Sequence, residues 1–309
     1  MATNSYRIDV HHHILPPKYL TSLKSIGITT AGNVPFPKWD LDGTLEVMDQ
    51  LGIQTAMTSI SSPGIYFGDT EFSQELSRQC NEFSAELIKK HSQRFGAFAV
   101  LPLPNINASI EELKYSLDEL NLDGVGLLSS INGYYLGDPD FNELYSELNK
   151  RNGVVCIHPN APPEDKIPKK DARAAVLEFV FDTTRAVANL LYNSVLKNYP
   201  NIRFIVPHAG GTVPYLAWRI TMGNRRAIEQ LKNLYYDTAL SATPYTLHAL
   251  QELVPISQIL FGSDYPFLPK QMIKSMIKGL EDYDGFNERD RKFIEKENAL
   301  SLFPRLKNT

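Results

Sequence analysis

The chain has 309 residues, with 31 lysines and arginines against 35 aspartates and glutamates, a formal charge of −4 at pH 7 and 43% hydrophobic residues. The charges are dispersed, leaving no basic stripe for a phosphate backbone, and no apolar run nears the roughly 18 to 20 residues that cross a bilayer. With only Cys80 and Cys156, a disulfide-stapled secreted scaffold is excluded, and without a basic-then-apolar leader the expectation is a cytoplasmic protein with no nucleic-acid or membrane partner.

From the N-terminus, a strand is predicted over 6–13, ending in the triplet His11, His12 and His13. Strand side chains alternate, so His11 and His13 share one face and His12 takes the other. The proline-bearing stretch 15–39 reads as a long βα loop, followed by a helix over 44–51 and a strand over 54–60. Next come a helix over 70–91 with Thr70 as N-cap, a strand over 95–101, a helix over 110–120 and a strand over 124–128. A helix over 141–151 leads to a strand over 154–158, then a second long loop over 160–171, rich in proline and lysine. A helix over 175–198 precedes the Pro200 stop, and strands follow over 203–208, 234–238 and 258–264.

Eight strands alternating with helices predict a (β/α)8 TIM barrel, as one domain over residues 1–309 with the loops 15–39 and 160–171 over its active face. An open dinucleotide-binding sheet would carry a glycine-rich turn after the first strand; the histidine triplet stands there instead.

His11, His13, His158, His208 and Asp264 all fall at carboxyl ends of predicted strands, the rim where barrel active sites are built. Imidazole and carboxylate suit Zn²⁺, with Mn²⁺ as an alternative, and His11, His13, His158 and Asp264 can supply a catalytic ligand set. A lone strand-end histidine is more often a hydrogen-bonded structural residue, but four histidines and an aspartate at such ends favour a metal. His12 is read as structural, and His91 and His248 as surface residues. The stretch 122–130 at strand four has no lysine of the kind that bridges two metals, so one divalent ion is expected. Trp39, Tyr66, Phe67, Tyr134, Tyr135, Phe267 and Asn132 are candidates for the wall of a pocket for a flat ring, although aromatic residues are more often filler.

The pattern D-x-H-x-H at Asp9, His11 and His13, with His158, His208 in H-A-G-G and Asp264 in G-S-D-Y-P, resembles the amidohydrolase superfamily. Together with W-x5-L-x-x-M-D-x-L-G-I over 39–53, R-F at Arg94, L-P at Leu101 and Y-Y-D-T over 235–238, it is similar to the aminocarboxymuconate-semialdehyde decarboxylase branch. Within that branch, the segments 9–19 and 59–69 look most like 6-methylsalicylate decarboxylases. The resemblance implies that His11, His13, His158 and Asp264 hold the metal, that His208 works beside it, and that the protein is a homodimer. It also implies a substrate-binding arginine before Trp39, but Pro35, Phe36, Pro37 and Lys38 occupy that stretch, which points away from a muconate substrate. In this branch a neighbouring subunit lends an arginine near the positions of Arg219, Arg225 and Arg226.

The expected reaction is therefore non-oxidative decarboxylation of a small aromatic or unsaturated carboxylate, with Asp264 as ligand and proton donor and His208 tuning protonation or hydrogen-bonding the substrate. The alternative is hydrolysis of an amide or lactone by a metal-activated water, with Asp264 as base.

Overall fold

The computed structural model describes residues 6–161 and 175–308. Eight parallel strands pair in chain order: β1 (Arg7–His13), β2 (Ile53–Ser59), β3 (Phe95–Val100), β4 (Gly124–Leu128), β5 (Val154–His158), β6 (Arg203–Val206), β7 (Tyr235–Asp237) and β8 (Ile259–Leu260). The stretch after β8 returns to β1, where Val10 donates to the Phe261 carbonyl at 2.9 Å and Asp264 donates to the His11 carbonyl at 2.8 Å. These bonds bring the sheet to a nearly closed (β/α)8 barrel. Strands covered on both faces read as almost unbroken apolar runs, and β1 is buried at all seven positions.

Inside, Ile8, Val10, Phe98, Cys156, Ile205 and Leu260 form one buried cluster with Ala299, Leu302, Phe303 and Leu306 from the C-terminal helical segment. Arg305 of that segment pairs with Asp123, just before β4, at 2.8 Å, so the segment plugs the amino ends of the strands. The carboxyl ends stay open for chemistry. Pairing of β1 with β2 advances three residues from Asp9 to His12 against two from Ala56 to Thr58, a bulge of one residue. It re-aims the strand, so that Val10 packs in the barrel while His11 and His13 converge on the rim.

Several predicted boundaries move for local reasons. The loop over 15–39 holds helix α1 (Pro17–Ser25) and a small ribbon, Thr30–Ala31 with Val34–Pro35, so it is built rather than irregular. Of the loop over 160–171, all but residues 160 and 161 lies outside the described residues. Helix α2 (Leu41–Leu51) starts at Asp40, whose carboxylate accepts from Gly43, and stops at left-handed Gly52. The N-cap of α3 (Thr70–Lys90) is Asp69 rather than Thr70, because the Asp69 carboxylate accepts the Phe72 amide. Asn105 caps α4 (Ile106–Lys114), starting it earlier than the apolar spacing indicates. Helix α5 (Asn142–Lys150) lies within a residue of its predicted span. The predicted helix over 175–198 is two, α6 (Glu178–Tyr192) and α7 (Val195–Asn198), parted by Ser194 at φ 61°. Helices α8 (Val213–Thr221), α9 (Arg225–Lys232) and α10 (Pro244–Leu253) follow β6 and β7. Among the described residues, no helix is long and apolar enough to cross a membrane.

Strand β6 ends at Val206 because Pro207 has no amide for the ladder, and His208, Ala209, Gly210 and Gly211 then all take positive φ. A Cβ on Gly211 would lie 2.2 Å from the Val180 carbonyl oxygen in α6. Gly211→Ala is expected to lose about 1–3 kcal/mol in a urea unfolding titration, since helix α6 would have to move.

Candidate active site

Four side chains from β1, β5 and the turn after β8 meet at the open rim. His11, His13, His158 and Asp264 each offer one ligand atom, and those atoms lie within 4.8 Å of one another. The His11 and His13 ring centroids are 4.9 Å apart, as are those of His13 and His158. All four residues are buried.

Each imidazole is oriented from behind. His11 Nδ1 lies 2.8 Å from Asp237 Oδ2, His13 Nδ1 lies 3.0 Å from Ser59 Oγ, and His158 Nδ1 lies 2.8 Å from the Pro159 carbonyl. With each Nδ1–H donated outward, the Nε2 lone pairs are left for the centre. His13 Nε2 is 3.1 Å and His11 Nε2 3.4 Å from Asp264 Oδ1. His11 Nε2 is buried and makes no hydrogen bond, a costly arrangement for a polar atom unless a cation takes its lone pair. Three imidazole nitrogens and a carboxylate are donors that a divalent ion takes, so the residues present fit one.

Charge follows the same plan. Burial lowers the pKa of His13 and takes that of His158 well below the ordinary imidazole value, keeping both neutral as ligands must be. Burial would also lower His11, but the Asp237 and Asp264 carboxylates override it and take the pKa well above the usual range, so an ion bound there would have to displace the second proton of His11. For Asp264, burial pushes upward, and the surrounding imidazoles of His11, His13 and His208 outweigh it and hold the carboxyl well below the usual range.

His208 enters from the strained turn after β6, at φ 54°, with its Nε2 3.9 Å from Asp264 Oδ2. Both of its ring nitrogens are buried without a partner. Asp264 itself sits at φ 60°, and strain of this kind concentrates at functional sites. His12 turns away, with Nδ1 2.9 Å from Asp9 Oδ2. His91 caps α3, and His248 is exposed on α10.

A cavity runs from His158 between the ends of β2, β3 and β4, walled by Ile60, Tyr66, Leu101, Leu128, Ile131 and Asn132. Among the described residues no lysine or arginine borders it. Of the predicted pocket residues, Tyr66 and Asn132 border this cavity and Phe267 meets His13 edge-on, with ring centroids 5.6 Å apart. The others are engaged elsewhere: Trp39 meets Phe83 at 5.9 Å, Phe67 meets Phe72 at 6.4 Å, and the Tyr135 hydroxyl donates to Asp182 Oδ1 at 2.6 Å. Tyr134 is exposed.

Sequence reasoning assigned no role to Asp237, Ser59 or Asp182. Asp237 carried a signal, being a carboxylate at a strand's carboxyl end; Ser59 and Asp182 carried none, because their roles depend on which neighbour they meet.

With this geometry in view, the chain belongs to the amidohydrolase family, whose pattern it matches over residues 8–305. It is 32% identical to a 6-methylsalicylic acid decarboxylase of Penicillium expansum, over 97% of each chain. A crystal structure of an amidohydrolase II superposes with a TM-score of 0.91 at 29% identity, covering 96% of this chain and 99% of that one. A dihydroxybenzoic acid decarboxylase from a Polaromonas species, solved with bound manganese and 2-nitroresorcinol, shares the fold at a TM-score of 0.83 and 21% identity, over 97% of each chain.

Proposed function

We propose that this chain is a metal-dependent, non-oxidative decarboxylase of a small aromatic carboxylate, of the 6-methylsalicylate or hydroxybenzoate type. The observation that carries the reading is the convergence of three histidines and Asp264 at one rim with His208 beside them, in a chain whose relatives are named decarboxylases. His11, His13, His158 and Asp264 would hold one divalent ion, with Zn²⁺ the assignment that the imidazole-rich set supports and Mn²⁺ the alternative. Bound there, such an ion would supply Lewis acidity toward the substrate's oxygens.

An aryl carbanion is too basic to leave behind, so the ring carbon is protonated first. Asp264, ionised at rest, takes a proton handed on by His208 and delivers it to the carbon bearing the carboxylate. The carbon–carboxylate bond then breaks, its electron pair returns to the ring, and carbon dioxide departs. The aliphatic part of the wall, Ile60, Leu101, Leu128 and Ile131, would hold the ring flat, with Asn132 on the cavity and Phe267 against His13 as candidate contacts.

The test joins metal analysis of protein purified without chelating resin to carbon dioxide release from a panel of hydroxybenzoates in deuterated water. We expect about one zinc per chain and deuterium at the vacated ring carbon. Turnover of lactones or amides without carbon dioxide would establish the hydrolase instead. Activity restored by manganese alone would overturn the zinc assignment.

The proposed assembly is a homodimer through α6, α8 and α10. Tyr215, Trp218, Met222, Tyr192 and Tyr245 are 64–92% exposed there, with Met222 and Tyr192 on one groove and arginines 219, 225 and 226 nearby. Exposed aromatics and methionine rimmed by arginine match the make-up of an interface centre, and a self-complementary patch closes as a two-fold pair. Trp218→Glu is expected to shift the sedimentation coefficient from dimer to monomer; a wild-type chain that sediments as a monomer rules the assembly out.

A further inference from the structure

Asp237, at the end of β7, is completely buried and serves two histidines at once. Its Oδ2 faces His11 Nδ1 at 2.8 Å. Its Oδ1 accepts the backbone amides of His208 at 3.0 Å and Ala239 at 2.9 Å. The His208 amide belongs to the positive-φ run, so this bond helps to hold a turn that the backbone disfavours. The neighbouring wall is tight: a Cβ on Gly262 would stand 2.8 Å from His11 Cβ and 3.1 Å from Asp237 Cγ, which leaves His11 and the carboxylate little room to shift.

We infer that Asp237 is a positioning residue that fixes the His11 tautomer and the His208 turn together, from the juxtaposition of its two oxygens with a ring nitrogen on one side and the His208 amide on the other. The inference rests on the metal-centre reading of His11, His13, His158 and Asp264. A carboxylate only accepts, so His11 keeps its proton on Nδ1 and presents the Nε2 lone pair to the ion. An asparagine cannot do both jobs. With its oxygen on the two amides, its NH₂ faces Nδ1 and drives the His11 proton to Nε2, where it blocks the ligand. With the amide flipped, the NH₂ meets two backbone N–H groups and the His208 turn loses its acceptor. Asp237→Ala removes the acceptor but leaves His11 free to adopt either tautomer. The isosteric variant is therefore the more damaging of the two for the ion.

The experiment measures Zn²⁺ affinity by competition with a chelating dye for the wild type, Asp237→Asn and Asp237→Ala, beside circular dichroism of each. Asp237→Asn is expected to bind Zn²⁺ about 10- to 100-fold more weakly than wild type, and more weakly than Asp237→Ala, with the native spectrum kept. A purely structural role predicts the reverse order, with alanine the worse. Affinity of Asp237→Asn within twofold of wild type overturns the inference. Should the variants not fold, ¹⁵N-histidine NMR of the Zn²⁺-loaded wild type decides it: a His11 proton on Nδ1 supports the role, and one on Nε2 overturns it. A wild type that binds no Zn²⁺ and no Mn²⁺ overturns the metal-centre reading itself, a separate result from a variant that binds as well as wild type.

Discussion

Asp264→Asn should lower the rate of carbon dioxide release by about 10²–10⁴-fold, or roughly 3–5 kcal/mol of transition-state stabilisation, while leaving the fold intact. The substitution is isosteric and keeps an oxygen that can face His13 Nε2, now 3.1 Å away. What it removes is a carboxylate that can take up a proton and pass it on. Asp264 is also in the proposed ligand set, so the rate is read beside bound metal for each preparation. If the variant carries stoichiometric metal and is slow, proton delivery is the lost step. If it carries stoichiometric metal and keeps wild-type turnover in saturating substrate, Asp264 is only a ligand and the donor lies elsewhere. Solvent-deuterium incorporation adds a second readout, because a slow variant that still decarboxylates must still place solvent hydrogen on the ring.

The barrel and the metal-type cluster were legible in the sequence because each rests on a local pattern. Parallel strands are apolar on both faces, and the residues at their carboxyl ends are adjacent in sequence to those runs. His11, His158 and Asp264 are therefore legible from the strand runs they end. Even so, the route to His11 was not simple alternation along β1. The bulge between Asp9 and His12 adds a residue that no side-chain pattern discloses. The pocket wall was far less legible. Trp39 and Tyr135 are aromatic, near the rim and in the right loops, yet Trp39 packs on Phe83 and Tyr135 is bound to Asp182, 47 residues away in sequence. Which side a loop aromatic turns to depends on such distant partners. The same holds for Asp237, whose value comes from His11, 226 residues before it.

His208 should separate proton handling from ligation more cleanly than any ligand can. Its Nε2 stands 3.9 Å from Asp264 Oδ2, outside the group of four ligand atoms, and neither ring nitrogen has another partner. Keeping a buried imidazole unpartnered costs stability, so its presence calls for a task that packing does not supply. His208→Ala is expected to retain full metal content and near-native KM, and to lose about 10²–10⁴-fold in kcat. A residue that merely filled space would cost stability and leave kcat within a few-fold. Because the alanine leaves an imidazole-sized space beside Asp264, added imidazole should restore part of the lost rate in proportion to its concentration, with no change in bound metal. Loss of metal in His208→Ala would instead make His208 a fifth ligand, and the relay from His208 through Asp264 to the ring carbon would have to be abandoned.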